Sequence, residues 1–329
     1  MKVLVTGATS LIGQHVVRLL QQRGDSVCVV QRGVSELDGV DEVRCDLSGD
    51  CSAQLNKAMQ GVDAIVHLAA RVGVAGRWDA FESINVEGTR RIIDSAMTCA
   101  VPRFVHVSSP SVAHAGSSLV GADSGQADPQ NVRGHYARSK ALGEQIALEA
   151  NSDAFNVVSL RPHLVWGPND KQLVQRIIDR AKAGRLLLVG SGQALIDTTY
   201  IDNAASAIVA GIDHAQQAAG KALVISNAQP RTVSEILQRI LKAAGLPTEL
   251  KHVPAPVAIA AGGAIEHVWE RLDKPDDPPM TRFLAEQLAT AHWFDQRKTR
   301  TLLNWTPHVT LEEGFVRLGE SLNDDAAAV

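Results

Sequence analysis

The chain has 329 residues, of which 45% are hydrophobic and 21% charged, the balance of an ordinary globular protein and not of a disordered one. A formal net charge of -4 gives no basic excess to neutralise a phosphate backbone, which excludes nucleic acid as the main partner and favours a small or apolar ligand. No apolar run reaches the roughly 20 residues that cross a bilayer, and the N-terminus lacks the pattern of a signal peptide, so a cytoplasmic location is expected.

Lys2 to Thr6 reads as a strand that passes through Thr6-Gly7-Ala8-Thr9-Ser10-Leu11-Ile12-Gly13 into a helix from Ile12 to Arg23, closed by Gly24. Strands at Ser26 to Val30, Val43 to Leu47 and Ala64 to Ala70 follow. A helix from Val86 to Thr98, a strand from Arg103 to Ser108, a helix from Tyr136 to Ala150 and a strand from Phe155 to Leu160 continue the alternation. This rhythm predicts an α/β fold with a parallel sheet covered by helices on both faces.

Beyond Pro162 the rhythm breaks at the loop Trp166 to Asp170, and a second, smaller and mostly helical part begins. A helix from Asn203 to Ile212, capped by Asp202, leads to a strand from Ala222 to Ser226 that returns to the first sheet. The expected division is therefore 1–165 with 200–229 for the first domain, and 166–199 with 230–329 for a substrate domain interleaved with it. Val253 to Ile265 is read as a mostly buried apolar helix, with membrane-surface docking or an apolar tunnel lining as alternatives. Asp273 to Pro279 is read as a surface loop and Asn323 to Val329 as a frayed end.

A glycine-bearing turn between a first strand and a first helix is the setting in which free helix N–H groups hold a pyrophosphate. Gly7, Thr9, Ser10, Leu11, Ile12 and Gly13 are the candidates, with Ser10 standing where such turns usually carry glycine and offering a hydroxyl to phosphate. After the second strand, Gln31-Arg32-Gly33 supplies no carboxylate for the ribose hydroxyls of NAD(H), whereas Arg32 suits a 2′-phosphate. NADP(H) is thus preferred, with NAD(H) as the alternative. Asp46 and Leu47 are candidates to bracket the adenine, although Asp46 equally suits a cap on the next segment.

One of the two tyrosines opens Tyr136-Ala137-Arg138-Ser139-Lys140, and a four-residue spacing stacks both side chains on one helix face. An ammonium there favours the phenolate and makes the phenol a usable acid or base. Ser109, just past a strand end, is placed to donate to a carbonyl oxygen as charge grows on it. Asn85 is either a helix N-cap or a link in a proton relay behind Lys140. His67 and His106 read as core histidines, His163 as a pocket residue, and Trp78 and Trp166 as cavity walls. Cys28, Cys45, Cys51 and Cys99 lack metal-ligand spacing and are expected as free thiols, and no metal site is expected.

These residues, with His67 to Ala70, Asn85 to Thr89, Phe104 to Val112, Leu160 to Pro168 and Tyr200 to Ala204, resemble the extended short-chain dehydrogenases of the NAD-dependent epimerase/dehydratase superfamily, in their 3β-hydroxysteroid dehydrogenase-like branch. Arg161 to Pro168, with Thr281 to Gln287 and His292 to Asp295, is similar to bacterial 2-alkyl-3-oxoalkanoate reductases. The resemblance implies a Rossmann-type doubly wound sheet. It also implies Tyr136 as acid/base, Lys140 binding the nicotinamide ribose, Ser109 holding the carbonyl, and Leu68, Ala69, Ala70, Pro162 and His163 at the cofactor. A homodimer through the helices from Val86 and Tyr136 is implied as well. The expected activity is NAD(P)H-dependent reduction of a ketone, or oxidation of its alcohol, on an apolar 3-oxoacyl or steroid-like substrate. Two alternatives stand beside it: a nucleotide-sugar epimerase or dehydratase that retains NAD, and a non-enzymatic NADP(H)-sensing protein.

Overall fold

A computed structural model describes residues 1–73, 76–113, 116–272 and 278–327. The first half runs β1 (Lys2–Thr6), α1 (Leu11–Gln22), β2 (Ser26–Gln31), β3 (Asp41–Arg44), α2 (Ser52–Ala58), β4 (Ala64–His67), α3 (Trp78–Phe81), α4 (Glu87–Thr98), β5 (Arg103–Val107), β6 (Leu119–Ala122), α5 (Gly134–Glu149) and β7 (Asn156–Pro162). It continues through β8 (Val165–Trp166), α6 (Val174–Lys182), β9 (Leu187–Val189), β10 (Leu195–Ile196), β11 (Thr199–Tyr200), α7 (Ile201–Asp213), β12 (Lys221–Ile225), β13 (Arg231–Thr232) and α8 (Val233–Ala243). The last part holds β14 (Lys251–Val253), α9 (Ala255–Arg271), α10 (Arg282–Ala289), β15 (His292–Phe294), α11 (Arg297–Leu303) and α12 (Leu311–Ala327).

Seven parallel strands form one sheet in the order β12-β7-β5-β4-β1-β2-β3. This is the doubly wound Rossmann-type arrangement, in which strand order reverses between β1 and β4 and opens a crevice at their carboxyl ends. Alternate residues of β1 feed two separate cores: Val3 and Val5 pack toward α1 and α7, while Leu4 packs with Cys28, Leu55, Ile92 and Phe104 on the other face. Both faces are covered, which is why the central strands are nearly continuous in apolar residues. β12 pairs with β7 and so returns the chain to this sheet from residue 221 onward.

The remaining segments pack around Trp166, Tyr200, Ile240 and Leu311. They are helical for the most part, but they also carry a four-stranded sheet, β13-β10-β15-β6. β6 comes from the first half of the chain and pairs with β15, 173 residues away at the Leu119–His292 contact.

Several sequence expectations are corrected. Trp166 is fully buried, stacked on Phe315 with centroids 4.4 Å apart, so it is core and not cavity wall. Trp78 lies beneath the Arg138 guanidinium at 4.6 Å and edge-on to His135. Asp202 does not cap α7, because the helix begins one residue earlier at Ile201 with Tyr200 as N-cap, and Asp202 pairs instead with Arg317 at 3.0 Å. Cys45 and Cys51 are joined as a disulfide: a tight six-residue turn brings their Cα atoms to 5.9 Å, within bridging range, and leaves Cys28 and Cys99 as thiols.

α9 is not mostly buried. Ala258 and Gly262 face inward, but Val257 and Val268 are about half exposed, as is Leu272 just past the helix end, because only one stripe of this helix meets α10. The last helix persists to Ala327 instead of fraying from Asn323. The proposed loop Asp273 to Pro279 falls largely outside the described residues, of which Pro278 and Pro279 remain. No helix among the described residues is long and apolar enough to cross a membrane.

Candidate active site

The turn after β1 is built by steric necessity. Gly7 has φ +69°, and a Cβ there would stand 2.7 Å from Ala69 N; at Gly13 it would stand 2.4 Å from Gly7 O. Any side chain at either position would push the turn off the end of β4 or α1 off the turn. Ser10 is the N-cap of α1. Its Oγ accepts from Gly13 N at 3.1 Å and donates to Gly7 O at 2.8 Å, so the hydroxyl expected to reach a phosphate is committed within the turn. Leu11 and Ile12 open the helix, where their N–H groups have no intrahelical carbonyl and form a nest for an anion.

Around this turn, Thr9 is exposed and Leu68, Ala69 and Ala70 sit half-buried past β4. His67 is buried between Thr6 Oγ1 at 2.8 Å and Thr89 Oγ1 at 3.1 Å. Burial, and then the nearby Lys140, push its pKa down to about 3, so it is a neutral bridge between β1, β4 and α4. Arg32 is exposed just past β2. Asp46 Oδ1 accepts from Ser48 N at 2.9 Å and from Ser48 Oγ at 2.8 Å; these bonds hold its pKa down and lock the turn after Cys45. Leu47 is buried in the core. The glycine cradle, the open helix N-terminus and the exposed Arg32 fit a nicotinamide dinucleotide laid across the β1/β4 switch point.

Two segments meet at the carboxyl edge of β5 and β7. Ser109 follows β5, with its Oγ 2.9 Å from Ser111 Oγ, and Tyr136 lies in the first turn of α5 on the lining of the same cavity. Burial raises the Tyr136 pKa above the ordinary phenol value, and the nearby Ser109 hydroxyl draws it back down. Lys140, one turn on, is 3% exposed. Its Nζ donates to Val107 O at 2.7 Å, and burial lowers its pKa to about 8, opposed by Glu144. The effect anticipated from sequence was a lysine that lowers the tyrosine pKa. Burial of the phenol is instead the larger influence, and the ammonium is held by a strand carbonyl.

Asn85 is not an N-cap. It lies in a π-helical turn, Glu82–Val86, inserted between α3 and α4, a distortion often found at functional positions. Its Oδ1 accepts from Arg71 N at 2.7 Å, and its Nδ2 donates to Arg71 O at 3.0 Å and to Ser139 Oγ at 2.9 Å. It therefore ties the loop after β4 to α5, beside Lys140. Gly143 permits this approach, since a Cβ there would stand 2.4 Å from Asn85 O.

Ser109, Tyr136, Pro162 and His163 line one cavity of about 580 Å³. The rest of its lining includes His135, Trp269, Arg282, Phe283, His292 and Phe294. His163 meets His292 and Phe294 edge-on, with centroids 5.0 and 5.2 Å away. Arg282, Phe283, His292 and Phe294 fall in the stretches that carry the reductase resemblance, but no sequence signal placed them at this cavity. Among the described residues no cluster of side chains could hold a metal ion.

Residues 3–226 match the NAD dependent epimerase/dehydratase family. The chain is 40% identical to a 2-alkyl-3-oxoalkanoate reductase of Stenotrophomonas maltophilia (strain K279a), over 98% of this chain and 99% of that protein. It is 37% identical to the protein of the same name from Shewanella oneidensis, over 97% of this chain and 85% of the other. Among solved structures, MoeE5 in complex with UDP-glucose and NAD matches with a TM-score of 0.75 at 22% identity, covering 99% of this chain and all of that one; this likeness concerns the fold alone.

Proposed function

The chain belongs to the NAD dependent epimerase/dehydratase family, and from that premise we propose that it is an NAD(P)H-dependent oxidoreductase that reduces the ketone of a largely apolar 3-oxo compound, or oxidises the matching alcohol. The observation that carries this reading is the convergence of Ser109 and Tyr136 on the wall of one 580 Å³ cavity, with Lys140 one helical turn behind. Full-length similarity to two 2-alkyl-3-oxoalkanoate reductases supports a branched 3-oxoalkanoate as substrate. The sugar-nucleotide enzyme among the structural neighbours is similar at 22% identity, and this supports the epimerase or dehydratase alternative less well.

A bound nicotinamide dinucleotide would supply the hydride. Ser109 donates to the carbonyl oxygen and steadies the charge that grows there. Tyr136 gives that oxygen a proton, so ketone, hydride and proton become the secondary alcohol, and the phenol is reprotonated from solvent. Lys140 sets a positive charge behind the phenol and offsets the negative charge left on it. Gly7, Leu11, Ile12 and Gly13 would hold the pyrophosphate, and Ala69, Ala70 and Pro162 would flank the nicotinamide half.

NADP(H) is our preferred cofactor, because the end of β2 carries Arg32 and no carboxylate. We also propose that the protein works in the cytoplasm as a homodimer through α4 and α5, which light scattering of the purified protein would test. The exposed apolar residues of α9 leave peripheral membrane contact as part of the same proposal. Purified protein with NADPH should reduce a 2-alkyl-3-oxoalkanoate, and Tyr136→Phe should lower kcat by about a thousandfold or more while NADPH still binds. A wild type inactive on every ketone, or a Tyr136→Phe variant of undiminished rate, would defeat the proposal.

A further inference from the structure

Among the described residues the cavity is lined by three arginines, Arg77, Arg133 and Arg282, and one acidic side chain, Glu266. Arg77 is spent on Asp79 at the surface. The other two arrive from distant parts of the chain: Arg133 is the N-cap residue of α5, and Arg282 opens α10. They converge on a single carboxylate, Glu286, which is 8% exposed. Arg282 Nε donates to Glu286 Oε1 at 3.1 Å, and Arg133 Nη1 donates to Oε2. Gly116 makes room for the pair, since a Cβ there would stand 3.1 Å from Glu286 Oε2 and 3.4 Å from Arg133 Cζ.

Within this cluster two guanidinium groups share one carboxylate, so among the described residues the cluster carries one net positive charge, while Glu266 lines another part of the same cavity. Each guanidinium has five N–H donors in a fork that matches a carboxylate, and each commits one of them to Glu286 among the described residues. We propose that Arg133 and Arg282 form a carboxylate-binding subsite, positioned by Glu286, that selects free 3-oxo and 3-hydroxy acids over esters, thioesters and uncharged sterols. The inference rests on the ketone-reductase reading and names its substrate class. A second carboxylate arriving from the substrate brings the cluster to two positive and two negative charges. Carbon 1 of a 3-oxo acid is two carbons from the reacting carbonyl, so the anion must sit on the wall that bears Tyr136, and Arg133 stands three residues before it. The alkyl chains are left the apolar lining of Pro110, Trp269, Phe283 and Phe294.

The test uses a 2-alkyl-3-hydroxyalkanoic acid and its methyl ester, oxidised with NADP+, because 3-oxo acids lose carbon dioxide in solution. In the wild type kcat/KM should favour the acid by about 10- to 100-fold. Arg282→Gln and Arg133→Gln should each bring that ratio toward one, and Arg282→Lys should retain part of it. Damage to the fold lowers both substrates together and leaves the ratio alone, so an unchanged ratio in both glutamine variants overturns the subsite. A wild type that oxidises acid and ester alike overturns the subsite but not the oxidoreductase reading. One that oxidises neither overturns both.

Discussion

Lys140 Nζ donates to the carbonyl oxygen of Val107 at 2.7 Å, tying the Tyr136 face of α5 to the carboxyl end of β5, from which Ser109 emerges two residues later. A buried ammonium without a carboxylate in contact is costly to keep charged, and its pKa of about 8, against 10.5 for ordinary lysine, expresses that cost. Between about pH 8 and 10.5 the unfolded chain therefore binds more protons at this site than the folded one, and stability rises with pH through that window. Lys140→Met lacks the group. The denaturation free energy of the wild type should gain on that of the variant by roughly 2–3 kcal/mol between pH 7.5 and pH 10. Parallel urea midpoints across that range would show that the lysine is not depressed.

Ser109→Ala should lower kcat for ketone reduction by about 10²–10³-fold, the usual loss for a donor aimed at developing charge. The Ser109 hydroxyl also draws the Tyr136 pKa down against burial. Its loss should therefore move the rising limb of the alcohol-oxidation pH profile to higher pH, since that direction needs the phenolate. A reduced rate with an unmoved limb would place Ser109 outside direct contact with the phenol.

Arg161 and Glu144 form a buried ion pair beneath the site, with Arg161 and Glu144 both fully enclosed and Ser159 Oγ also donating to Glu144 at 3.0 Å. Arg161→Met strands the carboxylate and should cost about 3–5 kcal/mol in chemical denaturation. Adding Glu144→Met should recover most of that loss, because the uncompensated charge goes with it. Additive losses in the double variant would contradict this account.

Arg32→Ala should weaken NADPH binding by about tenfold or more in a fluorescence titration while changing NADH binding little, since only NADPH carries the 2′-phosphate. Equal weakening of both would remove Arg32 from cofactor discrimination.

The motifs that carry the chemistry were readable because each is local. A glycine at φ +69° must be glycine wherever the rest of the chain goes, Tyr136 and Lys140 share a face because helices repeat every 3.6 residues, and the β-α alternation specified a parallel sheet before any contact was known. Other features looked local and were not. Asp202 has cap chemistry, but the helix starts at Ile201 because β11 delivers Tyr200 to the cap. Trp166 is near a strand end, yet Phe315, 149 residues later, stacks on it and claims it for the core.

By itself the sequence determined the doubly wound sheet, the glycine turn after its first strand and the pairing of Tyr136 with Lys140 on one helix face. Only the tertiary structure decided which other side chains line the cavity around Tyr136. Arg133 and Glu286 are 153 positions apart and meet only through the fold; the π-helical turn likewise aims Asn85 at Ser139 by packing on α5 where Gly143 leaves room. Such pairings are set by the shapes of buried faces summed over many side chains, and no spacing along the chain encodes them.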